Sequence, residues 1–491
     1  MLKHPLIPFF ALVVLAVLML FQAACSDDDL TDDPSDLLTF STDTLGFDTI
    51  FVTMGSITRD FKVYNPNASR VRLQSVRLGK GSDSPFRMNI DGESRLEFNN
   101  VEIWADDSIH VFLELTIDPN DEQLPFVVED SVIFEYNGNV QDVQLVGFGQ
   151  NAHFFGPYTP NGYQVGSTQD TTWTNDLPYV IYGGIVIDEN HKLTIEKGCR
   201  IHLHNSALIY AEGTLSVNGE ADTLNKVTFQ GTRLDKTFPY DYSETPGQWL
   251  GIYIAPQSRG SRIRNAIVQN AYNGIVQAPV EEASADETPN LVVENTIIRN
   301  MYQFGIWNRG GKVVVANSLL YNCGVSNLAM MGGNNILAHC TFANYSGGDI
   351  DRRNPIIYAT NYFDDGDAYY LTSLKASFLN CVVIGEKEEE FELLPYDASG
   401  IGFAMGFQNC MVRTKLQDVP IWENCIFPTN FNNIYADRSE DNYSLPEGSP
   451  AIDAGLDVLG IDPGGGGIIY FDKDLTGKVR TAPYDIGAFE Y

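Results

Sequence analysis

The residue types best suited to chemistry are concentrated in one charged stretch near the middle of the chain. Its carboxylate and guanidinium side chains are Asp349, Asp351, Arg352, Arg353, Asp364, Asp365 and Asp367. Paired carboxylates act as acid and base in glycoside hydrolysis, and carboxylates can also hold a cation that acidifies a substrate proton. In that interpretation Arg352 or Arg353 binds a sugar acid. The alternative is a solvated turn with surface ion pairs, which the residue types alone favour.

Aromatic residues form a second set of candidates for ligand contact. These residues are Trp249, Tyr253, Tyr302 and Trp307. Aromatic rings can stack on sugar rings, and they serve equally well as packing at the corners of a repeated fold. No Cys/Cys or Cys/His spacing of a zinc site occurs in the sequence, so no metal site is predicted.

A repeated unit surrounds these candidates. Its clearest copies are Asn265–Asn270, Asn295–Asn300, Asn317–Asn322 and His339–Asn344, and they start 30, 22 and 22 residues apart. Single apolar strands at a period near 22 residues predict a solenoid, and β-helices have this signature. The alternative, an antiparallel sandwich, does not repeat its side chains in register.

The repeat also predicts which side chains face inward. Residues alternate across a strand, so the small residue after the first Asn and the apolar residue two further on share one face. The inward pairs are Ala266/Val268, Thr296/Ile298, Ser318/Leu320 and Cys340/Phe342. The closing residues, Asn270, Asn300, Asn322 and Asn344, are expected to form a column of amides at a turn. The charged stretch lies in the 41-residue step from His339 to Asn380, and such insertions often carry function.

Composition restricts the partners. The net charge of −33 repels nucleic acid and opposes unassisted binding to polyanionic glycans. A Ca2+ ion that bridges the protein and a polyanionic glycan would allow such a glycan to bind.

The N-terminus has the pattern of a secretion signal. A basic Lys3 precedes the apolar run 6–21, and small residues stand directly before Cys25. The segment resembles a bacterial lipoprotein signal, and Ser26–Asp29 resembles the export tag of Bacteroidetes surface lipoproteins. The resemblance implies a signal peptide over 1–24, lipidation of Cys25, an acidic tether over 25–37 and a place on the outer membrane, exposed at the cell surface. A plain cleaved signal is the alternative.

Residues 38–150 read as short strands separated by turns, which predicts an immunoglobulin-like sandwich. The segment resembles the ASH-type branch of that fold through Phe61–Asn65, Val101–Ala105 and Val143–Gly149. That resemblance implies a spacer or interaction module.

The remainder divides into a linker and a long repeat domain. Gly and Pro residues predict a linker over 151–170. Leu193–Gly198, Gly213–Gly219 and Val227–Gly231 then resemble the opening coils of secreted right-handed parallel β-helix proteins of the pectate-lyase-like class. Gly448–Gly455 and Asp485–Tyr491 resemble the terminal segment of such proteins. The β-helix, with a C-terminal cap, is therefore expected over 171–491.

The predicted fold class is all-β, an immunoglobulin-like sandwich followed by a right-handed parallel β-helix. The leading functional hypothesis is a cell-surface lipoprotein that presents its β-helix for non-catalytic binding of a glycan or another surface. Two alternatives stay open: a polysaccharide lyase or glycoside hydrolase working in the β-helix groove, and a structural adhesin. Ca2+ is the expected cofactor only for a lyase. The expected partners are a membrane, through the lipid, and polysaccharide, with no nucleic acid.

Overall fold

The computed structural model describes residues 29–52, 54–118, 125–156, 162–165, 169–237, 240–280, 288–347, 350–364, 369–397, 400–465 and 467–491. The predicted lipidation site, Cys25, lies outside these residues. The chain divides into two compact units, Met1–Asn151 and Ala152–Tyr491. Among the described residues no helix has the length and apolar character needed to cross a membrane.

The first unit consists of two sheets. One contains Leu30–Thr31, Thr44–Phe51, Arg70–Leu78, Glu97–Ile103, Phe126–Tyr136 and Asn139–Gln150. The other contains Thr39–Phe40, Arg59–Asn65, Phe86–Ile90, Glu93–Arg95 and Asp107–Leu115, and a 3-10 turn spans Gly81–Asp83. Rings from the two sheets touch in the core, with Phe40 and Phe134 5.1 Å apart and Phe47 and Phe86 5.4 Å apart. The unit is therefore a sandwich, as predicted.

The second unit winds through three parallel sheets. Sheet 1 contains His153–Phe155, Tyr179–Tyr182, Arg200–His204, Val227–Gly231, Ala266–Gln269, Ile297–Met301, Leu319–Cys323, Thr341–Ala343, Val382–Val383 and Met411–Val412. Sheet 2 contains Gln164–Val165, Ile185–Ile187, Leu208–Ala211, Gly251–Ile254, Ile275–Gln277, Phe304–Asn308, Ser326–Met331, Ile357–Thr360 and Phe391–Leu394. Sheet 3 contains Thr171–Trp173, Lys192–Glu196, Thr214–Asn218, Ser261–Arg264, Leu291–Glu294, Lys312–Ala316, Gly333–Ala338, Leu374–Leu379, Phe403–Gln408 and Trp422–Glu423.

The chain visits sheets 1, 2 and 3 in turn, and each strand pairs in parallel with its equivalent one rung later. The predicted fold class is confirmed. All eight side chains of the four predicted inward pairs are fully buried. The six of them other than Thr296 and Ser318 belong to one continuous apolar interior that runs along the three sheets.

Shorter elements interrupt the rungs. The 3-10 turns are Thr223–Asn225, Tyr242–Glu244 and Arg438–Glu440. The two-stranded ribbons pair Lys236–Thr237 with Tyr240–Asp241, Tyr362–Asp364 with Tyr369–Leu371, and Gly460–Ile461 with Ile469–Tyr470.

The opening residue of each repeat makes the tight turn from sheet 3 to sheet 1. Its φ is positive in seven rungs: Asn265, Asn295, Asn317, His339, Asn380, Asn409 and Asn424 all lie between 47° and 50°. Asn adopts this left-handed conformation more readily than other residues with a side chain. The turn residue, rather than the apolar pair, therefore explains why the repeat begins with Asn.

The segment predicted as a linker begins the β-helix instead. His153–Phe155 pairs with Tyr179–Ile181, and Gln164–Val165 pairs with Val186–Ile187, both in parallel. These strands supply the first rung of sheets 1 and 2. The boundary predicted at residue 171 was therefore wrong, because Gly and Pro mark the turns of a coil as readily as they mark a linker.

The C-terminal segment, predicted as a cap, runs back along the sides of the β-helix. Its apolar residues cover the outer face of sheet 1 around Leu319, Tyr321 and Met411. Phe471 covers part of sheet 3. Two of the three outer faces are thus partly covered by the protein itself.

Candidate functional site

One residue of the charged stretch, Arg352, lies in the interior of the protein. Arg352 and Glu390 are an ion pair with both side chains fully buried. Arg352 also donates to the Asn344 carbonyl at 2.6 Å. Its predicted role in binding a sugar acid was wrong, because the guanidinium is enclosed and already satisfied.

The other residues of this stretch are less defined. Asp351 and Arg353 are both exposed. Asp349, Asp365 and Asp367 lie outside the described residues, as does the side chain of Asp364. Their proposed roles stay predictions.

Two of the four aromatic candidates lie in one column on the outer face of sheet 2. Ile252 and Ile254 point into the interior, so Tyr253 between them faces outward. The same alternation turns Trp307 outward beside Ile306. In register, Tyr253 pairs with Val276, and Val276 pairs with Trp307. The two rings therefore stand two rungs apart, about 10 Å.

Register extends this column to residues that sequence reasoning missed. Tyr210 pairs with Tyr253 on one side. On the other side Trp307 pairs with Ala329, which pairs with Tyr358. The name aromatic column is used below for Tyr210, Tyr253, Trp307 and Tyr358, all of them partly exposed. The recurrence of an aromatic residue in the middle of the sheet 2 strands was the available signal.

The remaining two aromatic candidates lie elsewhere. Trp249 is fully buried, and its indole donates to the Gln269 carbonyl at 2.9 Å. Its predicted contact with a sugar was therefore wrong. Tyr302 is 50% exposed at a turn, where it stacks on Tyr272 with ring centres 4.9 Å apart.

A ribbon from the 41-residue step forms a wall beside the column. Phe363, in the strand Tyr362–Asp364, lies 6.2 Å from the Trp307 ring. The Arg309 guanidinium sits 4.5 Å from the centre of the Trp307 ring and 5.3 Å from that of Phe363. These contacts border a cavity of about 230 Å³ that Tyr370 also lines. The insertion thus contributes aromatic surface to this wall.

A larger cleft, of about 700 Å³, lies over sheet 1. Its floor includes Arg299, which donates to Gln269 at 2.8 Å and to the Tyr321 hydroxyl at 3.2 Å. Glu244 approaches the guanidinium at 3.1 Å and Asp441 at 3.8 Å. Sequence reasoning missed this cleft because its walls come from distant parts of the chain.

The carboxylates of the cleft differ in their environments. Burial raises the pKa of Asp441 above its usual value, although Arg299 works in the opposite direction. Asp241 is paired with Lys236 at 2.8 Å, and that hydrogen bond lowers the pKa of Asp241. Among the described residues, no group of three or more His, Cys, Asp or Glu side chains is arranged to hold a metal ion.

The chain matches no protein-family model and no curated protein. Among solved structures it is similar to the catalytic unit of a GH87 α-1,3-glucanase from Streptomyces thermodiastaticus strain HF3-3. The identity is 12% over 76% of this chain and 86% of that one, with a TM-score of 0.25.

Two further similarities are confined to about a quarter of the chain. One is to an ASH/PapD-like domain of human CEP192, with 13% identity, 25% of this chain and 92% of that one covered, and a TM-score of 0.18. The other is to a protein of unknown function from Porphyromonas gingivalis W83, at 12% identity and a TM-score of 0.18. That match covers 26% of this chain and spans half the length of the P. gingivalis protein. Scores this low carry no functional argument.

Proposed function

We propose that the protein binds an extended, neutral glycan along the aromatic column of sheet 2. The observation that carries the proposal is the register of the rings. From Tyr253 onward an aromatic side chain stands on every second rung, through Trp307 to Tyr358. A linear glycan lying parallel to the β-helix axis can place a sugar face on each ring, because the rings are separated by about the length of two sugar units.

The residues between the rings support this interpretation. Val276 and Ala329 occupy the intervening rungs and are fully buried. Small side chains at these positions leave the larger rings raised above the sheet, and partly exposed rings retain apolar area for a ligand. The cavity beside Trp307 gives the surface a bounded side near its centre.

Charge favours a neutral ligand. At a net charge of −33 the protein repels polyanions at long range. The Arg309 guanidinium lies against the Trp307 ring of the column. Stacked in this way it can donate hydrogen bonds to sugar hydroxyls while the ring keeps its apolar character.

Anchoring at the cell surface completes the proposal. A lipid on Cys25 would hold the binding surface outside the outer membrane. The tether predicted over 25–37 was too long, because Leu30–Thr31 pairs with Arg70 and Val71 in a sheet of the first unit. Intact-protein mass spectrometry of the membrane fraction tests this part. A mass increase that maps to the N-terminal cysteine supports anchoring, and a mature chain that begins elsewhere without lipid contradicts it.

Affinity electrophoresis against a panel of neutral and uronic polysaccharides tests the binding proposal. The double variant Tyr253→Ala, Trp307→Ala should lose the retardation that the native protein shows in a neutral glycan. Tyr302→Ala is the matched control, since it removes an exposed ring outside the column. Equal loss in the control, or no retardation of the native protein by any glycan, would overturn the proposal.

Hydrolysis in the sheet 1 cleft is the second candidate function. Glu244 and Asp441 contact different nitrogens of one guanidinium, so their carboxylates are at most about 9 Å apart, which falls within the range of glycosidase pairs. In this role Asp441, whose pKa is raised by burial, would be the acid. Release of reducing ends from the bound glycan, abolished in Asp441→Asn and Glu244→Gln, would support it. Binding without any release would exclude it for that glycan.

A further inference from the structure

Four cysteines of the β-helix occupy one position on successive rungs. The residue that follows each cysteine pairs in parallel with its equivalent on the next rung. Thr341 pairs with Val382, Val382 with Met411, and Met411 with Ile426. The stacked residues, called the thiol ladder below, are Cys340, Cys381, Cys410 and Cys425. All carry free thiols in the structure.

The spacing of the thiol ladder fits a disulfide. Equivalent residues on adjacent rungs are about 4.8 Å apart at Cα, and disulfides join residues whose Cα atoms are about 4.4–6.8 Å apart. The side chains are already in contact, because the Cys381 and Cys425 thiols both hydrogen-bond to Cys410. The Cys381 backbone N–H also donates to the Cys410 sulfur at 3.4 Å.

Accessibility distinguishes one end of the ladder from the other. Cys340, Cys381 and Cys410 are buried, whereas Cys425 is partly exposed on the last rung. An oxidant in solution therefore meets Cys425 first. Cys410 lies directly beneath it. The hydrogen bond to Cys410, together with burial, raises the pKa of Cys425. Burial also opposes ionisation of Cys410, but the hydrogen bonds from Cys381 and Cys425 lower the pKa of Cys410. A thiolate is the form that attacks a disulfide.

We propose that Cys410 and Cys425 are a site of reversible disulfide formation that joins the last two rungs of the β-helix. With a small-molecule disulfide as oxidant, Cys425 first forms a mixed disulfide and releases one small thiol. The Cys410 sulfur then attacks the Cys425 sulfur and releases the second small thiol. Two protein thiols are oxidised, one small disulfide is reduced, and the two thiol protons leave with the released thiols. This inference is independent of glycan binding.

Peptide mapping of the full chain after treatment with oxidised glutathione tests the site. Trypsin separates the two cysteines, because Cys410 falls in the peptide 388–413 and Cys425 in 416–438. The expected product is these two peptides joined, with a loss of two free thiols that dithiothreitol restores. Oxidised protein in which every cysteine can still be alkylated after unfolding would overturn the proposal.

Three variants make the test specific. Cys425→Ser should abolish the cross-link, and Cys410→Ala should trap glutathione on Cys425 because the resolving thiol is missing. The matched control is Cys199→Ser, since Cys199 belongs to the same column but has Val227 on the next rung. This control should leave the cross-link unchanged. A cross-link that survives in Cys425→Ser, or glutathione that stays on Cys425 in the native sequence, contradicts the proposal.

Discussion

Arg352 and Glu390 form an ion pair from which solvent is excluded on both sides. The Glu390 carboxylate also accepts the backbone N–H groups of Lys387 at 2.9 Å and Ile356 at 3.2 Å. Arg352 reaches the Asn344 carbonyl. The pair thus connects the insertion that contains Arg352 with the one that contains Glu390, and both are held against the β-helix. Its role is structural.

Replacing Arg352 should therefore affect stability rather than ligand binding. Arg352→Met leaves the Glu390 carboxylate buried without its partner, and we expect the free energy of unfolding to fall by about 3–5 kcal/mol. Urea unfolding followed by circular dichroism measures the change. Arg353→Met, at an exposed neighbouring position, is the control and should shift stability by less than about 0.5 kcal/mol. Equal effects of the two variants would contradict a buried structural pair.

The left-handed residues that open the repeats support a second prediction. Asn317 has a φ of 47°, and its amide donates to Asn295 at 2.7 Å and to the Lys473 carbonyl at 3.1 Å. It also accepts a hydrogen bond from Arg480 at 2.9 Å. Asn317→Ala combines backbone strain of about 1–2 kcal/mol with the loss of buried hydrogen bonds, about 1–3 kcal/mol.

The exposed Asn205 separates those two contributions. Its φ is 49°, so Asn205→Ala carries the strain at a position where the side chain faces solvent. In chemical unfolding, Asn317→Ala should be clearly more destabilising than Asn205→Ala. Similar losses in both variants would mean that Asn317 stabilises the fold through its backbone conformation alone.

The repeat predicted most of the β-helix because one local requirement recurs in seven rungs. In these rungs a left-handed residue follows the sheet 3 strand, and alternation then fixes which neighbours are buried. The predicted amide column at the closing residues was only partly right. Asn322 reaches Asn300 at 3.4 Å, but Asn270 donates to the Ser243 carbonyl instead. The turns that follow the sheet 1 strands contain insertions of different lengths. Backbone groups of these insertions form the hydrogen bonds in place of a neighbouring amide.

The candidate site was harder to predict, for two physical reasons. Trp249 precedes the strand Gly251–Ile254, so the alternation that turns Tyr253 outward does not extend to it. The sheet 1 cleft joins Glu244, Arg299 and Asp441, which only the return of the terminal segment brings together. Neither strand alternation nor local spacing contains that information.

Stability should depend on pH through a buried histidine. His202 is buried in sheet 1, and burial lowers its pKa from 6.5 to about 4. The unfolded chain therefore binds a proton that the folded protein excludes between these pH values. The contribution of His202 to the free energy of unfolding is fully present above pH 6.5. It falls by about 3 kcal/mol as the pH decreases towards about 4.

Urea unfolding at pH 7 and pH 4.5 measures this dependence. His202→Gln should reduce the difference between the two pH values, whereas His191→Gln, nearer the surface, should leave it unchanged. His339 adds to the same trend, because burial also lowers its pKa. If His202→Gln leaves the difference in stability between pH 7 and pH 4.5 unchanged, the pH dependence does not come from His202.

Glycan binding on the aromatic column should depend on the length of the ligand. Tyr253 and Tyr358 stand four rungs apart, about 19 Å, with Trp307 midway between them. Affinity for oligosaccharides of the bound glycan should therefore rise with length until both outer rings are covered, and then level off. Trp307→Ala should weaken binding about tenfold, or about 1.4 kcal/mol, for ligands long enough to cross the centre. Isothermal titration with a series of chain lengths measures both effects, and Tyr302→Ala again serves as the control. An affinity that does not change with length would place the ligand in a pocket for single sugars, and the column would then have no part in binding.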